Sequence, residues 1–331
     1  MMKNSKKKIM ACSYSETQQK MYEEIEDTFC VAFTRGFALA NSYSGDIISC
    51  TTLPYKGTSF VSTINNSNIL AIIPNEKDFV HIWDLKKKCL LFGISLKELE
   101  DVTGLLLRPD CVIVVAKTSV NVFNLYDQKK LGSVKTASNP NGAFDIPPSF
   151  SSTICAVLGQ NTGEFKLHSY IDPNLEFPTI KAFSKEINVL RFSPNGQVLG
   201  VSSLASKKIK LYHVPEIFEI GSLKLPISED GAVDIRFDLF DSYMFVITPS
   251  KTMYLYTLDC VDFAVKPENP ITLKYSASFS LPDHGRFFAY FTSKLNLIDV
   301  ISEKGVHYVL RYKKSTKKFL CVQETVMNLP V

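Results

Sequence analysis

The stretch INVLRFSPNGQVLGVSSLASKKIKLYHV, from Ile187 to Val214, decides the fold class of this chain. It holds three apolar segments, 187–192, 198–203 and 208–214, with Ser193-Pro194-Asn195-Gly196 between the first two. Proline presets the backbone of a turn and Asn-Gly tolerates positive φ, so this tetrapeptide predicts a tight turn. Short strands joined by tight turns predict one antiparallel sheet, which a fourth strand at 219–225 completes.

Units of the same kind recur along the whole chain of 331 residues. Apolar strands and polar turns form about seven units of roughly 40 residues with four strands each, and long helical patterns are absent. The first unit shows only three strands, at 29–34, 37–43 and 46–51. This period predicts an all-β protein, a seven-bladed β-propeller. Two β-sandwiches are the alternative, but they would not require a regular period.

The domain boundaries follow from the same pattern. The propeller is predicted to span residues 28–327 as a single closed domain. Residues 1–27 are polar and charged, and we expect a partly disordered N-terminal extension there. Residues 328–331 are assigned to a C-terminal tail.

Composition narrows the class of protein. The net charge is +4, from 37 basic and 33 acidic residues, which is too mild to indicate a nucleic-acid partner. Eight scattered cysteines form no C-x-x-C pair, so neither zinc nor a redox motif is indicated, and no cofactor is predicted. Several of them lie in apolar strands, which suits a reducing compartment, the cytosol or the nucleus. No apolar run is long enough to span a bilayer, so any membrane contact is expected to be peripheral.

Chemical motifs favour binding over catalysis. Four of the five histidines lie in predicted strands, and no nucleophile elbow, H-E-x-x-H or phosphate loop occurs. The chain is therefore predicted not to be an enzyme. Basic clusters lie at or near loops, and together they could attract anionic lipid at about 1 kcal/mol per residue. They are Lys86-Lys87-Lys88, Lys207-Lys208 with Lys210, and Lys313-Lys314 with Lys317-Lys318.

The order and spacing of several segments resemble the PROPPIN family, the WIPI-type propellers of autophagy that bind phosphoinositides. The resemblance covers nearly everything from Phe60 to Leu329. Its best parts are VHIWDLKKKCLLF (80–92), LLLRPDCVIVVAKTSVNVFNL (105–125), SNPNGAFDI (138–146), GQNTGEFKLHSY (159–170), the opening stretch and SASFSLPDHGRFFAYF (276–291). The resemblance implies a propeller whose edge holds two pockets for lipid headgroups.

The family's Phe-Arg-Arg-Gly motif is degenerate in this sequence. Counting back from Ile235-Arg236-Phe237, the resemblance places the motif on Leu223-Lys224-Leu225-Pro226. One basic residue remains, and the second arginine is replaced by leucine. Arginine binds phosphate in a bidentate manner whereas lysine offers a point charge, so weakened lipid binding is expected.

The pocket positions that the resemblance implies have also changed. The first pocket would contain Ser203, Ser206-Lys207 and Lys210, with Lys208 beside them. The second would contain Ile247-Thr248, Lys251-Thr252 and Tyr254, with Thr248 and Thr252 as its remaining hydroxyl ligands.

Two loops differ from the family pattern as well. The loop that resembles the family's partner-docking loop is cut to 74–78. The loop that inserts into bilayers in relatives corresponds to 259–273, which is short and keeps Val261, Phe263 and Val265 as candidate insertion residues.

Two functions are consistent with these residues. The first is a peripheral effector of phosphatidylinositol 3-phosphate or 3,5-bisphosphate, a scaffold in autophagy or endosomal traffic with weakened lipid binding. Its partners would be such membranes and proteins of the trafficking machinery, and it would be cytoplasmic or peripheral on endosomal, vacuolar or preautophagosomal membranes. The alternative is a divergent relative that has lost lipid binding and serves only as a protein-interaction scaffold.

Overall fold

The computed structural model describes residues 8–15, 27–53, 57–64, 67–147, 152–172, 174–258, 261, 265–282, 285–294 and 296–329. These residues form 29 strands in seven sheets, and no helix occurs among them. Each sheet is one blade of a ring, which confirms the predicted all-β, seven-bladed β-propeller. The described residues therefore contain no helix that could span a membrane.

The bounds of the strands follow the chain order. Blades 1 to 4 consist of β1 (Ile9–Ser15), β2 (Thr28–Phe33), β3 (Gly36–Asn41), β4 (Ile47–Thr52), β5 (Thr58–Thr63), β6 (Ile69–Pro74), β7 (Phe79–Asp84), β8 (Cys89–Ser95), β9 (Val102–Leu107), β10 (Cys111–Ala116), β11 (Ser119–Asn124), β12 (Lys130–Lys135), β13 (Phe144–Asp145), β14 (Ile154–Leu158), β15 (Glu164–Ser169) and β16 (Thr179–Lys181). Blades 5 to 7 consist of β17 (Val189–Phe192), β18 (Val198–Ser202), β19 (Lys208–His213), β20 (Glu219–Lys224), β21 (Asp234–Phe237), β22 (Tyr243–Ile247), β23 (Thr252–Thr257), β24 (Ile271–Leu273), β25 (Ala277–Ser280), β26 (Phe287–Phe291), β27 (Leu297–Ser302), β28 (Val306–Lys313) and β29 (Lys318–Val326).

The stretch at 187–214 folds as its residues predict. It forms β17, β18 and β19 of blade 5, each antiparallel to the next. At the turn, the amide of Gly196 donates to the carbonyl of Ser193 at 2.9 Å. Gly196 has a φ of 75°, a conformation that glycine adopts without steric cost.

The hydrophobic core lies between the blades because each sheet buries apolar residues on both faces. Between blades 5 and 6, Ile209 and Leu223 of blade 5 pack with Ile235 and Tyr256 of blade 6. Alternation along β19 then directs Lys208 and Lys210 to the opposite face, toward blade 4. The register of one strand thus fixes where the basic side chains lie.

The predicted boundary of the propeller at residue 28 is wrong. Residues 9–15 form β1, the innermost strand of blade 1, where Ile9 and Tyr14 are buried. This strand supplies the fourth strand that the first unit lacked in the sequence pattern. At the other end Leu329, assigned to the tail, is only 2% exposed and packs at the contact between blades 7 and 1.

A ring of polar contacts links the innermost strands of neighbouring blades. Asp145 of blade 4 pairs with Arg191 of blade 5 at 3.1 Å, and Arg191 approaches Asp234 of blade 6 at 3.6 Å. Arg236, beside Asp234, places its guanidinium carbon 4.4 Å from the ring centroid of Tyr290 in blade 7. Asp145, Arg191, Arg236 and Tyr290 line a central cavity of about 480 Å³. The charged groups at its wall are engaged with one another.

Side-chain contacts and a backbone hydrogen bond from the Ile9 amide to the Glu303 carbonyl close the ring between blades 7 and 1, and no exchanged strand occurs there among the described residues. The Tyr290 hydroxyl donates to the carbonyl of Cys12 at 2.6 Å, and its ring stacks on Tyr14 at 5.3 Å. Deeper in the same contact, Asp299 lies 3.4 Å from the imidazole of His307, and both side chains are fully buried. The described strands of blade 1 and of blade 7 each come from one continuous segment.

Candidate functional site

Lys208 and Lys224 form the exposed basic pair of the candidate site. They are directly opposite each other on the antiparallel strands β19 and β20, so their side chains share one face of blade 5. Both are exposed. Among the described residues, neither ammonium group has a carboxylate within 4.0 Å. Two like charges without an internal counterion can attract an anion.

Lys210 lies two residues further along the same face, but its charge is already neutralised. Its ammonium lies 2.9 Å from a carboxylate oxygen of Glu219 and 5.8 Å from the ring centroid of Phe183, which follows blade 4. The first of the two pockets implied by the family resemblance therefore lies between the outer parts of blades 4 and 5. Lys210 therefore lines the wall of this pocket, but its charge is paired with Glu219.

Lys207 and Ser203 have internal roles as well. The Lys207 ammonium donates to the carbonyl of Ile227 at 2.7 Å and pairs with Asp230 at 2.9 Å, so it holds the loop 225–233 in place. Ser203 is 1% exposed, and its hydroxyl oxygen has no hydrogen-bond partner among the described residues. The structure therefore brings Lys208 and Lys224 together at the surface, with Lys207 turned to the loop and Ser203 buried.

The second pocket is occupied by a carboxylate of the chain itself. Glu229 is 5% exposed, and one of its carboxylate oxygens accepts hydrogen bonds from the hydroxyls of Ser250 and Tyr254, the latter at 3.1 Å. Burial and this hydrogen bond raise the pKa of Tyr254 to about 12, so the phenol remains a donor. Thr248 is buried and bonds the carbonyl of Thr252 at 3.2 Å. A phosphate at this position would meet a negative charge.

The segment at the degenerate motif presents a single cation. Leu223 is fully buried and Leu225 is 2% exposed, and both pack in the core between blades 5 and 6. The backbone of Lys224 is fixed by the Tyr256 hydroxyl, which donates to its carbonyl at 3.1 Å. Only Lys224 of this segment therefore reaches solvent as a charged side chain.

The predicted insertion loop is more firmly attached than its sequence suggests. Val261 is partly buried and packs against the core of blades 5 and 6, which removes it from the set of side chains free to insert. Val265 is 59% exposed, and Phe263 lies outside the described residues. At the end of the loop, Ile271–Leu273 forms β24, which pairs in parallel with β20 as a fifth strand of blade 5.

A glycine makes this fifth strand possible. Gly221 lies opposite Ile271, and a Cβ at Gly221 would stand 2.5 Å from the Ile271 carbonyl oxygen. Any other residue would therefore displace β24. The loop at 259–273 and the segment with Lys224 are thus joined to the same outer strand.

The loop at 74–78 is a tight turn. Lys77 has a φ of 57°, and its amide donates to the carbonyl of Pro74 at 3.0 Å. Its ammonium donates to the carbonyl of Val102 at 2.7 Å, toward blade 3. The turn is therefore held against its neighbour.

Among the described residues, no group of three histidine, cysteine or acidic side chains is placed to hold a metal ion.

The hydrogen bonds of Glu229 could not be predicted from the sequence, because an acidic residue in a short polar loop is typical of a solvent-exposed turn. No signal in the spacing connects it with hydroxyls 21 and 25 residues later. The Lys208–Lys224 pairing becomes visible only when the register of the two strands is known.

The geometry defines the chain as a seven-bladed propeller with a basic pair on the outer edge of blade 5. No protein-family model matches the sequence. The chain is 23% identical over 262 residues to autophagy-related protein 18 of Dictyostelium discoideum, covering 74% of this chain and 64% of that protein. It is 22% identical over 254 residues to SVP1-like protein 2 of Pichia angusta, covering 73% and 69% respectively. The match thus spans less than two thirds of the Dictyostelium relative.

Solved structures agree in fold. The chain superposes on Hsv2 of Kluyveromyces lactis with a TM-score of 0.78 at 13% identity, covering 96% of this chain and 99% of that one. It superposes on KlAtg21, solved in complex with the coiled coil of AgAtg16, with a TM-score of 0.76 at 11% identity, covering 97% and 100%. Together with the sequence relatives, these structural neighbours support assignment of the chain to the PROPPIN propellers.

Proposed function

We propose that this chain is a non-enzymatic adaptor in autophagy or endosomal traffic that binds anionic, phosphoinositide-bearing membranes weakly, through one headgroup site. The observation that carries the proposal is the pairing of Lys208 and Lys224 on one exposed face, without a carboxylate within 4.0 Å among the described residues. The names of its autophagy-related relatives support the cellular process. Its place would be the cytoplasm and the surface of endosomal, vacuolar or preautophagosomal membranes.

One site, not two, is expected because the two pockets differ in charge. The pocket between blades 4 and 5 offers two uncompensated ammonium groups. In the pocket between blades 5 and 6, the hydroxyls of Ser250 and Tyr254 are already bound to Glu229. Bringing a phosphate beside that buried carboxylate would add like-charge repulsion in a region of low dielectric.

Binding should be weak and poorly selective because lysine does not read phosphate geometry. An ammonium is a point charge, whereas a guanidinium forms two parallel hydrogen bonds to one phosphate. We therefore expect phosphatidylinositol 3-phosphate and 3,5-bisphosphate to bind only modestly better than phosphatidylserine. The attraction between exposed charges should fall steeply with salt.

Vesicle flotation across these lipids, at low salt and at about 0.15 M salt, tests the proposal. Lys208→Glu with Lys224→Glu should abolish binding. Lys135→Glu is the matched control, because Lys135 is the exposed last residue of the outer strand of blade 3, as Lys224 is of blade 5. Tight, selective flotation that survives the double change would show that the headgroup site lies elsewhere.

A scaffold that binds only proteins is the second candidate. The internal ion pairs of Lys207 and Lys210 favour it, because they leave few free charges for lipid. A structural neighbour was solved with a coiled-coil partner, so proteins of the autophagy machinery are the partners proposed here. Absence of flotation by the unmodified chain with every anionic vesicle at low salt would select this function.

A further inference from the structure

Three exposed aliphatic side chains lie at the same end of blade 5 as the Lys208–Lys224 pair. Leu204 is 42% exposed, Ile227 87% and Val233 49%, and we call these three residues the Ile227 rim. Leu204 belongs to the loop between β18 and β19, and the other two to the loop between β20 and β21. Single exposed apolar residues are ordinary, but three on two loops at this end of blade 5 and its connection to blade 6 call for an explanation.

Backbone contacts bring the two loops of the rim together. The amide of Gly231 donates to the carbonyl of Ser206 at 2.7 Å, and the Lys207 ammonium reaches the carbonyl of Ile227 at 2.7 Å. A Cβ at Gly231 would lie 2.5 Å from the Cα of Leu204, which shows how closely the loops approach. The rim is therefore one surface made by two loops.

The loop between β20 and β21 is fixed by several contacts, so the position of Ile227 at the surface is well defined. Glu229 is bound by Ser250 and Tyr254, and Asp230 pairs with Lys207 at 2.9 Å. The amide of Ala232 donates to the Ser202 hydroxyl at 2.9 Å. Because the loop is already ordered, burying Ile227 against a partner costs little conformational entropy.

The charges around the rim are complementary to an anionic surface. Lys208 is the first residue of β19 and Lys224 the last of β20, so both lie where the rim loops meet their strands. The loop's carboxylates do not oppose them, because Asp230 is paired with Lys207 and Glu229 is buried. Aliphatic side chains bordered by lysines are the combination that binds at a lipid interface.

We propose that the Ile227 rim enters the headgroup region of an anionic bilayer while Lys208 and Lys224 hold the lipid phosphates. The inference rests on the proposed membrane function and names the part of the chain that makes the apolar contact. A side chain that is 87% exposed has almost no protein around it, so a protein partner would have to supply the whole pocket. A bilayer surrounds such a side chain without needing complementary shape. Val261 of the alternative loop, by contrast, is partly buried against the core of blades 5 and 6.

The first test places a fluorescent reporter at the rim of the full chain. The sequence contains one tryptophan, Trp83 in blade 2, so Ile227→Trp in a Trp83→Phe background provides a single emitter. Phosphatidylcholine–phosphatidylserine vesicles with bromine-labelled acyl chains should quench it, since bromine acts only at short range. Ile171→Trp in the same background is the matched control, because Ile171 is 63% exposed and lies in a loop of blade 4, between β15 and β16.

The second test measures affinity without a new aromatic side chain. Ile227→Ser should weaken sedimentation with the same vesicles about tenfold, the effect of losing one buried aliphatic side chain. Leu204→Ser should weaken it less, and Ile171→Ser should leave it unchanged. Unaltered thermal melts would show that the serine variants fold, as expected for exposed positions.

The possible outcomes distinguish the role of the Ile227 rim from the proposed membrane binding on which it rests. If the unmodified chain binds vesicles while Ile227→Ser binds equally well and the tryptophan at 227 is not quenched, the rim assignment is overturned and the membrane function stands. Loss of binding on Val265→Ser alone would move the contact to the loop at 259–273. If the unmodified chain binds no anionic vesicle, both proposals fail.

Discussion

The phenolic oxygen of Tyr254 lies 3.1 Å from a carboxylate oxygen of Glu229, which reaches it from the loop between blades 5 and 6. The same carboxylate oxygen accepts the hydroxyl of Ser250. Donors on one blade are thus satisfied by an acid on the connection from its neighbour. This contact joins the two blades, and it leaves the hydroxyls of Ser250 and Tyr254 unavailable to an external anion.

Removing the Glu229 carboxylate should therefore destabilise the fold. Glu229→Ala leaves two hydroxyls without their acceptor, and we expect the free energy of unfolding to fall by about 1–3 kcal/mol. Glu229→Gln keeps an acceptor and should cost less. Urea unfolding of these variants and of Tyr254→Phe, combined as a double-mutant cycle, measures the coupling. Additive effects of Glu229→Ala and Tyr254→Phe would show that the contact contributes nothing to stability.

Gly221→Val should release β24 from blade 5. The new Cβ would collide with the Ile271 carbonyl, so the segment that ends the loop at 259–273 must move. We expect trypsin to cleave faster after Lys274, which directly follows β24, than in the unmodified chain. Gly132→Val is the matched control, since Gly132 is likewise the third residue of an outer strand and a Cβ there would meet no atom of the described residues within 4 Å. Equal cleavage rates in both variants would contradict the pairing.

Asp241 should make stability depend on pH. Burial, reinforced by Asp238, raises the pKa of Asp241 from 3.8 to about 7. The folded state therefore holds this proton more tightly than the unfolded chain. The proton's contribution to stability is complete below about pH 4 and is lost as the pH rises through about 7.

Asp241→Asn should remove that dependence, since asparagine tolerates the φ of 54° found there. We expect the free energy of unfolding to rise by about 1 kcal/mol near pH 8, after allowance for solvent screening, and to change little near pH 4. Denaturant melts at both pH values check this. Asp78→Asn, at an exposed aspartate of blade 2, should alter stability equally little at both.

Tyr290 should matter most where the ring closes. Tyr290→Phe removes the hydrogen bond to the Cys12 carbonyl and should cost about 1 kcal/mol. Tyr290→Leu also removes the stack on Tyr14 and the contact with Arg236, at a further cost of about 2 kcal/mol. Guanidinium unfolding measures both. As a control, Tyr126→Leu at an 80% exposed site should change the free energy of unfolding by less than about 0.5 kcal/mol. If Tyr290→Leu changed the free energy of unfolding no more than this control, Tyr290 would not stabilise the contact between blades 7 and 1.

Most of the fold was predictable because the strands carry their own signals. Alternation and turn residues located β17 to β20 to within about two residues at each end. Two strands were not predictable in this way. Residues 9–15 are only seven positions of mixed polarity before a charged segment, and β24 is a three-residue strand formed by pairing with a distant edge. Both owe their structure to partners far along the chain, which local patterns do not contain.

The candidate site was predictable only in its parts. The lysines were identifiable as basic residues near loops, but their partners were not. Lys210 forms an ion pair with Glu219, and Lys207 forms one with Asp230. Two of the expected lipid ligands are therefore engaged in contacts within the protein. Which cations stay free depends on the register and on loop conformation, and neither can be read from residue types.

The closure of the ring without an exchanged strand among the described residues has a consequence for the order of the blades along the chain. The described strands of blade 1 and of blade 7 each come from one continuous segment, and among the described residues no strand is shared between the two blades. The seam is therefore one blade contact among seven, without a special topological role. A circular permutant that begins at blade 2 and ends with blade 1 should assemble the same ring, provided a linker joins the old termini. A permutant opened between blades 5 and 6 should fare worse, because β24 returns from blade 6 to complete blade 5.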